Sequence, residues 1–192
     1  MPKRTDIHKI LIIGSGPLWP LVAWILWQGA TMVHAQTNQG VLDETARSIL
    51  LTPTSVKAFR VESQKAFGDL IGGPIGASGQ VEGYPVIAGP VAVDPQVADN
   101  LGALLTSDDA YGRVQNLCLF SPGVAIQFEK GHERINALLC FQCDDLAVIR
   151  QGHTVRSGNF GAIRGDLVML VKRLFPEDSE IQALSLQGSV AK

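Results

Sequence analysis

The alternation of apolar and polar residues between Tyr111 and Gln151 constrains this chain more than any other feature, because a period of two fixes both an extended backbone and a choice of faces. In Gly123 to Glu129 the side chains of Val124, Ile126 and Phe128 fall on one side and those of Ala125, Gln127 and Glu129 on the other, which predicts a half-buried strand. Lys130-Gly131-His132-Glu133 supplies a polar turn with a glycine free to take positive φ, and the run Ile135 to Phe141 predicts the return strand of a hairpin. Leu146 to Ile149 continues the meander. Upstream, Val114 to Phe120 reads as a strand closed by Ser121-Pro122-Gly123, where Pro122 removes a donor. Cys118 and Cys140 are thus each expected at the end of a strand.

The remaining elements follow from spacing. Val56 to Val61 predicts a first strand, with Val56, Ala58 and Arg60 opposed to Lys57, Phe59 and Val61. Tyr84 to Val93 is β-rich, but Pro85 and Pro90 confine it to an edge or divide it into two pieces. Asp94 is placed as the N-cap of a helix with Pro95 in its first position and an apolar stripe of Val97, Leu101, Leu104 and Leu105. A second helix, Asp166 to Phe175, carries Leu167, Leu170, Val171, Leu174 and Phe175 on one face and Lys172 and Arg173 in its last turn. Glu177 to Leu184 adds a short helical turn or two. The predicted architecture is α+β: an antiparallel meander with helices packed on one face, preceded by an N-terminal apolar export or anchor helix.

Ile10 to Val33 contains no Asp, Glu, Lys or Arg and follows Lys3, Arg4 and Lys9, which is the pattern of an export signal or a membrane anchor. Val33-His34-Ala35 suits signal-peptidase cleavage before Gln36, the preferred reading. If uncleaved, residues 10–33 are about long enough to span a bilayer, with Trp19, Trp24 and Trp27 as interfacial aromatics. The expected organisation is therefore 1–35 signal peptide or anchor, 36–54 linker or short helix, 55–184 a single domain and 185–192 a flexible tail. Either fate places the domain outside the cytoplasm, periplasmic or extracellular, or tethered to the inner membrane.

A net charge of −2 and the absence of a basic patch interleaved with aromatics give no reason to expect nucleic acid. The glycine-dense stretch between Phe67 and Gly83 lacks the Gly-Lys-Ser/Thr ending of a phosphate loop and reads as a surface loop. No motif requires a cofactor.

The three cysteines hold the remaining chemistry. Cys140-x-x-Cys143 has thioredoxin spacing, but no helix begins between them to ionise a thiol, and a haem-attachment motif would need a histidine where Asp144 stands. Cys118, Cys140 and Cys143 with His132 or His153 would make a tetrahedral metal set, although both histidines fall in or near turns far along their strands from the cysteines. The structural alternative is a disulfide from Cys118 to either Cys140 or Cys143, with the third thiol buried and inert, since export favours oxidation and adjacent strands hold Cα atoms at bridging distance. Asp144 and Asp145, with Glu129 and Glu133 nearby, are expected as solvated turn carboxylates, and Ser121 and Ser157 as lone serines in turns.

Tyr84-Pro85-Val86-Ile87, Cys118, Cys140-Phe141-Gln142-Cys143 after a hairpin and Leu174-Phe175-Pro176-Glu177-Asp178 together resemble a group of exported bacterial proteins of uncharacterised function. The likeness spans about residues 55–184 and implies an exported single domain with paired Cys-bearing strands. Elimination leaves a non-enzymatic exported domain that binds another protein or the cell envelope. The alternatives are a metal- or thiol-handling protein, and an accessory subunit of a membrane complex if the N-terminal helix is retained.

Overall fold

The strand-forming stretches assemble into a seven-stranded antiparallel sheet. The computed structural model describes residues 41–63, 79–113 and 118–188. Its strands are β1 (Ser55–Val61), β2 (Gln80–Val81), β3 (Tyr84–Ala92), β4 (Val124–Lys130), β5 (Glu133–Cys140), β6 (Asp145–Arg150) and β7 (His153–Asn159), in the spatial order β2-β3-β1-β4-β5-β6-β7. The helices are α1 (Glu44–Leu51), α2 (Pro95–Thr106), α3 (Arg164–Leu174) and α4 (Ser179–Gln182). Short 3-10 turns, Asp108–Tyr111 and Gly161–Ile163, lead out of α2 and into α3. This is the α+β architecture expected.

One face of the sheet makes the main core. Val56, Ala58, Val124, Ile126, Phe128, Ile135 and Leu139 bury against α1, α2 and α3, which contribute Ile49, Leu101, Leu167 and Val171 among others. Asp94 caps α2 by accepting from the Gln96 amide at 2.9 Å, with Pro95 in the first turn as the sequence predicts. Gly102 is where α1 crosses α2, since a Cβ there would lie 2.2 Å from the Leu50 carbonyl oxygen. Residues 44–51 are thus a core helix and not a linker, capped by Asp43 and in the same compact unit as the sheet.

The second face is covered at its centre, over β4 and β5. Ala125 and Leu138 are buried with Val61, Val81 and Tyr84 in a smaller cluster, so β4 is covered on both sides instead of half-buried. The sheet curls to do this. Glu82, in the β2–β3 turn, accepts from Asn136 of β5 at 2.6 Å, and Asn136 accepts from Gln127 of β4 at 3.0 Å, three strands away from β3.

Two local expectations are corrected and a third is decided. Residues 118–122 carry no strand, because both edges of β4 are already taken by β1 and β5; residues 114–117 lie outside the described residues. Of the two alternatives for Tyr84–Ala92, the edge holds and the division does not: it is one strand whose outer side β2 covers only at its first two residues, with register shifts against β1. His153–Asn159, including Ser157, is an edge strand and not a turn. The N-terminal signal or anchor and most of the glycine-dense stretch, 64–78, also lie outside the described residues. Among the described residues no helix is long and apolar enough to cross a membrane.

Candidate functional site

The turn joining β5 to β6, Phe141-Gln142-Cys143-Asp144, gathers the three cysteines with Asp144 and Asp145. Cys143 is bonded to Cys118, 25 residues away, with the Cα atoms 5.9 Å apart. Cys140, the last residue of β5, is the free cysteine and is buried. Asp144 takes φ of 58°, a left-handed position that Asp tolerates better than most residues, and its carbonyl accepts from the Phe160 amide at 2.6 Å.

Arg164, at the start of α3, closes this turn from below. Its Nη1 donates to the Phe141 carbonyl at 2.8 Å and to Asp144 Oδ1, and its Nε donates to the Ser185 carbonyl at 2.9 Å. The guanidinium sits 5.8 Å from the Phe141 ring centre, and Phe141 meets Phe160 edge to face at 5.3 Å. Asn159 Nδ2 donates to the Cys143 carbonyl and to Asp145 Oδ1, both at 3.1 Å. Burial pushes the Asp145 carboxyl up; the Asn159 bond opposes this without cancelling it, and the Asp144 charge adds to the rise. Asp144 and Asp145 are therefore buried and bonded, not solvated as expected, and the Ser185 carbonyl is held to the corner; residues 189–192 lie outside the described residues.

The other candidates are dispersed. His132 lies in the β4–β5 turn and His153 begins β7, both exposed at the end of the sheet opposite the cysteines. The eight residues of β5 separate the two ends by about 23 Å at ~3.3 Å per residue. The structure does not bring the three cysteines and either histidine together, and no group of three or more His, Cys, Asp or Glu side chains among the described residues has metal-binding geometry. Glu129 accepts from Ser55 at 2.7 Å and Lys57 at 3.1 Å, and these bonds hold its carboxyl below the usual range against the effect of burial. Ser121 lines a 350 Å³ cleft beside Arg60, Gln142 and Glu180.

Arg60 is a second buried guanidinium that sequence reading left as a strand residue. It donates from Nε to Asp178 at 2.5 Å, from Nη2 to Glu180 at 2.8 Å and from Nη1 to the Gly123 carbonyl, tying the start of α4 to the sheet. Burial pushes the Asp178 carboxyl up, but the Ile181 amide and Arg60 together outweigh it and hold the group below the usual carboxylate range. Among the described residues no buried side-chain nitrogen or oxygen lacks a partner. The buried donors and acceptors around the two arginines are committed to holding the chain, while Glu180 is 83% exposed.

A different kind of surface lies between α2 and α3, which pack side by side. Their outer faces bound a groove of about 610 Å³ with an apolar floor of Ala103, Leu104, Met169 and Leu170. Asp166 stands at one end of the α3 wall and Lys172 and Arg173 at the other. Met169 is 51% exposed although the rest of the helix buries its apolar residues. The sequence does contain the signal: Met169 falls off the stripe of Leu167, Leu170, Val171 and Leu174.

No protein-family model matches this chain, and neither a curated protein nor a solved structure shows a significant match to it.

Proposed function

We propose that this protein is a non-enzymatic binding domain of the cell envelope that engages a protein partner through the α2/α3 groove. The observation that carries the reading is the contrast in how polar groups are used. The cysteine corner and the Arg60 cluster spend their buried donors and acceptors internally. The groove, in contrast, presents apolar side chains flanked by charges, which is the composition of a recognition surface with an apolar centre and a polar rim. Export is supported by the charge-free run at residues 10–33 and by the Cys118–Cys143 bond, since disulfides persist in oxidising compartments.

The test places a photo-crosslinking amino acid at Ala103, on the groove floor, and separately at His132, on the distant turn, in full-length protein made in its native host. Adducts to a protein from position 103 and none from 132 are expected; the absence of any adduct at 103 contradicts the reading. In the same preparation the mature chain is expected to begin at Gln36. Recovery of intact protein with Met1 in the membrane fraction would instead make the N-terminal run an anchor and the domain a subunit of a membrane complex.

A further inference from the structure

We infer that the occupant of the α2/α3 groove is a second copy of this chain, docked with its α3 helix antiparallel to the first. The inference rests on the binding reading above and names its partner. It is argued from the order of residues along the exposed edge of α3. Asp166, Met169 and then Lys172 and Arg173 follow one another at helical spacing, so one stripe runs acidic, apolar, basic. Met169 is the central residue of the eleven-residue helix Arg164–Leu174, three residues from Asp166 and three from Lys172.

Such a stripe is complementary to itself in one orientation only. A two-fold axis through Met169 puts Asp166 of each copy opposite Lys172 and Arg173 of the other and stacks the two exposed methionines at the centre. A parallel arrangement would set like charges face to face. The antiparallel pairing also opposes the two helix dipoles. In an isologous contact every favourable pair occurs twice, which is why a self-complementary patch points to a copy of itself. The charges are available for this role, because among the described residues none of Asp166, Lys172 and Arg173 enters an ion pair within its own domain. Met169 suits the centre, being flexible enough to fill an irregular gap. Weak self-association is sought at chain concentrations of about 1 to 100 μM.

The experiment is sedimentation velocity of the full-length chain across that range, with three charge variants. Asp166→Lys makes the stripe basic at both ends, and the pair Lys172→Glu with Arg173→Glu makes it acidic at both ends. Each variant alone should be monomeric, with dimerisation weakened about tenfold or more by like-charge juxtaposition. An equimolar mixture of the two should form a heterodimer, and the chain carrying all three substitutions should dimerise like the parent. Recovery in the mixture shows that both variants are folded. A parent that stays monomeric, or a dimer indifferent to these reversals, overturns the inference. The photo-adduct at Ala103 separates the two levels: a different protein captured there removes the second copy but keeps the binding reading. An adduct to the chain's own residues 1–40 removes both.

Discussion

The corner at the β5–β6 turn and the groove between α2 and α3 meet on one helix, α3, and the domain treats them in opposite ways. At the corner, Arg164 is 5% exposed and every bond it makes is internal: a carboxylate, two carbonyls and an aromatic face. One and two turns further on, Met169 and Arg173 face outward, and among the described residues Arg173 enters no ion pair. The difference teaches where function can reside. A residue set whose every polar atom is satisfied internally resists change and offers nothing to a ligand, whereas exposed apolar and charged side chains cost the fold little and remain free for recognition. The cysteines, which attract attention in the sequence, belong to the first kind.

Substitutions along α3 and at the Arg60 cluster can break this contrast. Arg164→Met should cost the most, about 3–5 kcal/mol in urea unfolding, because it leaves the buried Asp144 carboxylate without its guanidinium. A cost below ~1 kcal/mol would mean the corner is not the lock described. Leu170→Asp, next to Met169 in sequence but 7% exposed, should cost about 3 kcal/mol by burying an unpaired charge.

Asp178→Asn keeps the cap on α4 but removes a charge from Arg60, and should cost about 1 kcal/mol near neutral pH, less than a fully buried pair because Asp178 is partly exposed. Its pH dependence has a definite sign. The folded-state pKa of Asp178 is depressed, so its contribution is present above the unfolded carboxylate value of about 3.9 and is lost as pH falls through the folded value. The stability difference between parent and variant should therefore shrink on acidification below about pH 4. Asp145, whose pKa is raised, works in the other direction and is common to both proteins. A difference that grows towards low pH would reverse the assignment. Met169→Asp should move the unfolding midpoint least, by under ~0.5 kcal/mol, while removing association.

Much of the frame was legible from period and caps. The faces of Val124 to Glu129, the N-cap at Asp94 and the apolar face of α3 follow from local chemistry and are where the sequence puts them. What was not legible depends on distant partners. His153–Asn159 has no apolar stripe and is a strand because β6 offers it an edge; its one local signal is Gln151-Gly152, both at positive φ, the mark of a tight hairpin turn. The burial of Ala125 and Gln127 comes from the curl that carries Glu82 over to Asn136, which no window of β4 contains. Asp144 and Asp145 look solvated until Arg164 and Asn159 arrive from up to twenty residues away. At the cysteines, compartment and strand geometry narrowed the bridge to Cys118 with Cys140 or Cys143. Telling those two apart required knowing that β5 turns Cys140 inward while Cys143 sits in the turn.

The most direct test of a sealed corner is alkylation of the folded, full-length chain from its native host, followed by unfolding, a second label and peptide mapping without reduction. The account predicts a Cys118–Cys143 bridge, with Cys140 untouched by the first reagent and labelled only by the second. A Cys140–Cys143 bridge, three free thiols, or a Cys140 that reacts in the folded protein would contradict it and return the corner to thiol or metal chemistry.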